Sequence, residues 1–123
     1  MPKILFVEDE PMLQKELAEI LNQEKFKTLS AFDGEEGLKV AQVEKPDLIL
    51  LDLILPKKDG FEVLKELKAG KKTKDIPVIV LTNLEGVGDI EKALELGATT
   101  YLVKANYKLE DVIGKIKELL KQP

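Results

Sequence analysis

Leu48-Ile49-Leu50-Leu51-Asp52-Leu53-Ile54-Leu55-Pro56 is the most apolar stretch of the chain, and it carries an acid in its middle. A β-strand buried on both faces explains a continuous apolar run. It does not explain Asp52, because an ionised carboxylate leaves water only at a cost of several kcal/mol unless a partner compensates. Asp52 therefore either lies where the strand reaches the surface or meets a cation.

Three other apolar runs end in the same way. Ile4-Leu5-Phe6-Val7 ends in Glu8-Asp9-Glu10, Pro77-Val78-Ile79-Val80-Leu81 ends in Thr82, and Tyr101-Leu102-Val103 ends in Lys104. An acid pair, an acid, a hydroxyl and a lysine each follow the C-terminal end of a strand-like segment. Open α/β sheets bind their ligands at that edge.

Between these runs the spacing turns helical. Lys3 to Glu8 reads as a first strand, followed by a helix with Leu13, Leu17, Ile20 and Leu21 inward and Pro11 in its first turn. Phe26 to Ala31 is a second strand. Asp33 caps the next helix with Glu36 completing a capping box, Leu38 and Ala41 face inward, and Pro46 ends it. Asp47 to Asp52 is the third strand and Pro56-Lys57-Lys58-Asp59-Gly60 a turn. A helix follows with Phe61, Leu64 and Leu67 on one side, and Lys68 to Asp75 reads as a polar, solvated loop. Ile76 to Leu81 is the fourth strand. Gly86 and Gly88 loosen the next connection, and a helix with Ile90, Ala93 and Leu94 ends at Gly97. Thr99 to Val103 is the fifth strand. Leu109, Val112, Ile113, Ile116, Leu119 and Leu120 mark a last helix. Strands alternating with helices predict a parallel sheet covered on both faces with right-handed crossovers. Residues 1–123 are expected to form a single domain, with Lys121-Gln122-Pro123 either a simple terminus or the start of a linker.

Composition narrows the chemistry. All 19 basic residues are lysine, and His and Cys are absent. Imidazole bases, thiol nucleophiles and nitrogen or sulfur metal ligands are thereby excluded, so any metal must be a hard cation held by oxygen. The net charge of −4 argues against nucleic acid as the main partner. No apolar run approaches a membrane span, and because Met1-Pro2-Lys3 leads straight into a strand-like run, no signal peptide is expected. With no cysteine, a reducing cytoplasm is the expected location.

Taken together, Glu8-Asp9, the stretch Asp52-x-x-x-Pro56-x-x-Asp59-Gly60, Thr82, Gly97-Ala98 and Tyr101-Leu102-Val103-Lys104 resemble the receiver domain of two-component response regulators. The resemblance covers nearly the whole chain. It implies a flavodoxin-like, doubly wound five-stranded sheet of order 2-1-3-4-5 with five helices. It implies that Asp52 accepts a phosphoryl group from a sensor histidine kinase or a phosphotransfer protein, in a reaction that needs Mg²⁺. Asp9, Asp52 and the carbonyl of Ile54 match direct metal ligands, and Glu8 matches an outer acid acting through water. Lys104 and Thr82 match donors to the phosphoryl oxygens, and Thr82 and Tyr101 match the switch that alters the fourth helix, fifth strand and fifth helix. Such a domain is a phosphoacceptor that assists its own phosphorylation and dephosphorylation, and not an enzyme acting on a separate substrate. Its partners are a downstream output protein or a missing output domain, with a possible phosphorylation-dependent homodimer. No membrane and no direct nucleic-acid binding are implied.

Each residue alone has a plainer reading: a solvated acidic strand end, a turn aspartate, a surface lysine, a filler threonine, a packing tyrosine. A phosphorylation-independent interaction module of the same fold is the main alternative. An aspartyl phosphatase is disfavoured because Ile54 stands where a second aspartate is expected, and a flavin carrier because Glu8-Asp9-Glu10 would repel phosphate. Two departures from the family pattern stand out. Ala105 follows Lys104 where proline, commonly cis, is usual, and a cis bond at a non-proline residue costs roughly 3 kcal/mol. Ile54 and Leu84 are apolar at positions that tune the phosphoryl lifetime in this family.

Overall fold

The computed structural model describes residues 1–121. Gln122 and Pro123, where a linker was one of two expectations, lie outside them. Five parallel strands run in the order β2-β1-β3-β4-β5: β1 Lys3–Val7, β2 Lys27–Ala31, β3 Leu48–Leu51, β4 Val78–Thr82 and β5 Thr100–Val103. Between and after them come α1 Pro11–Gln23, α2 Gly34–Glu44, α3 Gly60–Ala69, α4 Val87–Glu95 and α5 Leu109–Leu120. This is the doubly wound arrangement that alternating patterning implies.

Strand periodicity sorts the core into two layers. Leu5, Val7, Ile49, Leu51, Val78 and Val80 face α2, α3 and α4 through Leu38, Ala41, Val63, Leu64, Leu67 and Ala93. Ile4, Phe6, Leu48, Leu50, Ile79, Leu81 and Leu102 face α1 and α5 through Leu17, Leu21, Val112, Ile113 and Ile116. The central strands β1, β3 and β4 have both sides covered, which accounts for their unbroken hydrocarbon.

Local chemistry explains most boundaries. Asp33 caps α2 by accepting from Glu36 N–H at 2.8 Å, while the Glu36 carboxylate accepts from Phe32 N–H at 2.7 Å. Asp59 caps α3, accepting from Phe61 and Glu62 N–H at 2.8 and 3.2 Å. Gly97 ends the α4 connection with φ 109°, a conformation few other residues adopt. Gly60 sits so close to the end of β3 that a Cβ there would lie 2.4 Å from Asp52 O, so only glycine lets α3 start against the strand.

Several expectations need correction. The strands start or stop one or two residues from the expected positions; Thr82 closes β4, and Glu8 and Asp52 lie just beyond β1 and β3. Val63 joins Leu64 and Leu67 on the buried side of α3, and Phe61 packs half-buried against the same layer, with Lys92 Nζ 4.4 Å from its ring centroid. α3 continues through Lys68 and Ala69. Lys68 is no solvated loop lysine: its Nζ donates to the carbonyls of Ile76 at 2.7 Å and Lys74 at 3.2 Å, and burial lowers its pKa. Gly88 lies inside α4, and Leu94 is largely exposed because α4 buries only Ala93.

Gly114 is an exposed residue within α5, and an added Cβ would meet nothing within 4 Å. Glycine in such a position weakens a helix by about 1 kcal/mol relative to alanine. Gly114→Ala should therefore raise the melting temperature by about 4 °C, measurable by circular dichroism; a lower melting temperature would show that the glycine answers a constraint outside the helix.

Candidate functional site

Parallel strands bring the residues after β1, β3, β4 and β5 to one edge of the sheet. The backbone N–H of Asp52 donates to Val7 O at 3.0 Å, which sets the β3 acid beside the β1 acid pair. Its side chain is turned inward, with 4% of the residue exposed. Oδ1 accepts from the N–H of Ile54 at 3.1 Å, holding that peptide against the site, while the Ile54 side chain points out and is 55% exposed. Glu8 is more deeply buried still, at 1% exposure, and Asp9 is exposed. Carboxylate oxygens of Glu8, Asp9 and Asp52 lie within 4.8 Å of one another.

Lys104 begins a short 3₁₀ turn, Lys104–Asn106, directly after β5. Its Nζ donates to Glu8 Oε1 at 2.5 Å and Asp52 Oδ2 at 3.0 Å. The cation that the apolar context of Asp52 demanded is thus a residue 52 positions away in sequence. The Lys104–Ala105 peptide is trans, since no described residue has a cis bond. Alanine in place of the usual proline is therefore compatible with the lysine reaching the acids.

The electrostatics are those of a crowded acid cluster. Burial pushes the Glu8 carboxyl up to about 7; the bond from Lys104 opposes this and the Asp52 charge adds to it. Burial pulls the Lys104 ammonium down, but its bonds to Glu8 and Asp52 outweigh that, and its pKa is raised. One lysine among three acids leaves a deficit of positive charge. An all-oxygen donor set of carboxylates, partly open at Asp9, suits a hard divalent cation that keeps several waters.

Thr82 closes β4 and pairs in register with Val103, the residue before Lys104. It is fully buried, and among the described residues its hydroxyl is the one buried side-chain polar atom without a hydrogen-bond partner. A buried polar atom left unpaired calls for an explanation, such as a catalytic role or a bound water or ion. Tyr101 is half-buried and donates its hydroxyl to Leu84 O at 2.9 Å, and burial raises its pKa. The structure therefore gathers Glu8, Asp9, Asp52 and Lys104 into direct contact or near contact, with Thr82 and the Ile54 peptide at the same strand edge and Tyr101 behind the β4–α4 connection.

Sequence reasoning missed Gln14. It is buried on α1, where its Nε2 lies 2.8 Å from Phe6 O, 3.0 Å from Glu8 O and 3.0 Å from Ala31 O. A signal was present: Gln14 shares the inward line of Leu17 and Leu21, where a polar residue needs a partner.

Residues 4–117 match the family model described as the response regulator receiver domain. The chain belongs to the response regulator receiver family. Transcriptional regulatory protein CiaR of Streptococcus pneumoniae is 44% identical over 122 residues, covering 99% of this chain and 53% of that protein. This receiver chain thus spans about half the length of the curated relatives it matches. A CheY-like receiver domain protein from Methanospirillum hungatei superimposes with a TM-score of 0.92 at 27% identity, over 99% of this chain and 95% of that one. The receiver domain of the sensor histidine kinase PA1611 from Pseudomonas aeruginosa, 29% identical with a TM-score of 0.85 and 95% of each chain covered, has a magnesium ion coordinated in its active-site cleft. The expected fold, with its strand order 2-1-3-4-5, is borne out.

Proposed function

We propose that this receiver is a phosphorylation switch: Asp52 accepts a phosphoryl group from the phosphohistidine of a sensor histidine kinase or phosphotransfer protein. The observation that carries the reading is the unpaired, buried Thr82 hydroxyl at the strand edge that also holds Asp52 and Lys104. A phosphoryl group on Asp52 supplies the acceptor that Thr82 lacks.

In the transfer, a carboxylate oxygen of Asp52 forms the new O–P bond, the N–P bond of the donor breaks, and the imidazole departs with its electron pair and takes up a proton. Such reactions ask a protein mainly for positioning and for charge stabilisation on the equatorial oxygens. Asp9, Asp52 and the Ile54 carbonyl would hold Mg²⁺, with Glu8 behind them, and the ion would offset the negative charge that three acids and a phosphoryl group share. Lys104, already donating to Asp52, serves a phosphoryl oxygen as a compact point charge. Thr82 donates to another. The protein remains a phosphoacceptor that assists its own phosphorylation and dephosphorylation.

The output follows from differential contacts in the two states. Drawing the Thr82 hydroxyl toward the phosphoryl group alters the β4–α4 connection, where Tyr101 is tied to Leu84. The surface of α4, β5 and α5 then changes, and a downstream protein, an output domain or a second phosphorylated copy reads it. Among the described residues no helix is long and apolar enough to cross a membrane. We assign the domain to the cytoplasm, where histidine kinases present their phosphoryl group.

Beryllofluoride, a phosphoryl mimic, tests the reading when added with Mg²⁺ to ¹⁵N-labelled protein. Amide shifts should concentrate between Thr82 and Lys117. An unchanged spectrum would favour a phosphorylation-independent interaction module, and shifts confined to α1 would contradict the route through Thr82.

A further inference from the structure

We infer that Gln14 is a positioning residue for the cation site: its side-chain amide fixes the peptide joining Glu8 to Asp9 and thereby aims the Asp9 carboxylate. The inference rests on the proposed role of Asp9 as a direct Mg²⁺ ligand.

Every polar group of Glu8 is hydrogen-bonded. Its N–H donates to Ala31 O at 3.0 Å, its Oε1 accepts from Lys104 and its Oε2 from Glu10 N–H at 3.1 Å. Its carbonyl, which belongs to the peptide leading into Asp9, accepts from Gln14 Nε2 at 3.0 Å, and among the described residues it has no other donor. Asp9 is exposed, so packing does little to fix it. The plane of the peptide before Asp9 is set by the Gln14 bond.

The identity of the side chain matters. Gln14 is 4% exposed and faces three carbonyl oxygens with one NH₂ group, so its two hydrogens serve three acceptors. All three neighbours are acceptors, which settles which end of the amide faces them. An apolar residue of similar size leaves the Glu8 carbonyl unpaired and the peptide free to turn. A carboxylate would set charge against three carbonyl oxygens. The residue sits behind the ligand loop from one helix turn away and touches no reacting group. Hydrogen-bonded groups behind metal ligands commonly alter metal affinity by about 10- to 100-fold.

The bonds to Phe6 O and Ala31 O also staple α1 to the ends of β1 and β2, so loss of Gln14 has a structural cost as well. The test separates the two. Mg²⁺ affinity is measured by calorimetry on unphosphorylated wild type, Gln14→Met, Gln14→Asn and Leu21→Val. The last variant removes a buried methylene from the same helix away from the site. Gln14→Met should bind Mg²⁺ about tenfold more weakly. Gln14→Asn keeps the amide one methylene short and should also bind more weakly than wild type, by less than Gln14→Met, which preserves the test should Gln14→Met fail to fold. Leu21→Val should lose thermal stability and keep wild-type affinity. Wild-type affinity in the folded glutamine variants, or an equal loss in Leu21→Val, would overturn the inference. Failure of the wild type itself to bind Mg²⁺ would overturn the reading of the site and the inference with it.

Discussion

Replacing Lys104 with methionine is expected to tighten Mg²⁺ binding by about tenfold or more while lowering the stability of the metal-free protein. Lys104 Nζ contacts Glu8 and Asp52, two of the three acids that face one another. It is the internal counterion of the cluster, and a divalent ion has to share those oxygens with it. One and two positive charges about 5 Å apart repel by roughly 7 kcal/mol at an effective dielectric of 20, and a fifth of that is worth a factor of ten. In metal-free protein the same substitution leaves Glu8 and Asp52 buried without their cation. Breaking such a pair costs about 3–5 kcal/mol, lessened because Glu8, with its carboxyl near 7, takes up a proton readily. Mg²⁺ should therefore raise the melting temperature of Lys104→Met far more than that of wild type. Equal rises would show that the lysine and the ion do not compete for the same acids.

The second large effect concerns how long the phosphoryl group lasts. Hydrolysis needs a water placed in line with phosphorus, opposite the Asp52 oxygen, and placing the nucleophile accounts for much of the rate of such reactions. Ile54 is exposed two residues beyond Asp52, and Leu84 lies two residues beyond Thr82, half-buried against the α2–α4 layer. Neither side chain offers a hydrogen bond to water, and both add bulk. The aspartyl phosphate should be long-lived for this family, and Ile54→Asn combined with Leu84→Glu should speed its decay by about tenfold to a hundredfold. The loss of phosphorylated protein after removal of the phosphodonor measures this. A double variant that decays at the wild-type rate or slower would show that these side chains do not limit the reaction.

Much of the site was legible because its residues follow strand ends, and an apolar run that closes in a polar residue is a local signal. Asp52 in the run 48–56 and Thr82 after Leu81 carry that signal. The turn Pro56 to Gly60 was legible too, since Asp59 and Gly60 each have one local task, a cap and a close approach. What the sequence hid was pairing at long range. Lys104 and Glu8 are 96 residues apart, and nothing local announces that the lysine bonds to Glu8 as well as to Asp52. Gln14 stood in plain view on the apolar line of α1, yet its three acceptors are main-chain carbonyls that carry no sequence signature. Leu94 misled because a large apolar residue can stay exposed, and hydrophobicity predicts burial only in one direction.

Intact mass spectrometry after incubation with acetyl phosphate and Mg²⁺ tests whether Asp52 is the phosphoacceptor. The wild type should gain the mass of one phosphoryl group, and Asp52→Asn should gain none. Equal labelling of Asp52→Asn, or no labelling of the wild type, would rule out Asp52 as the phosphoacceptor.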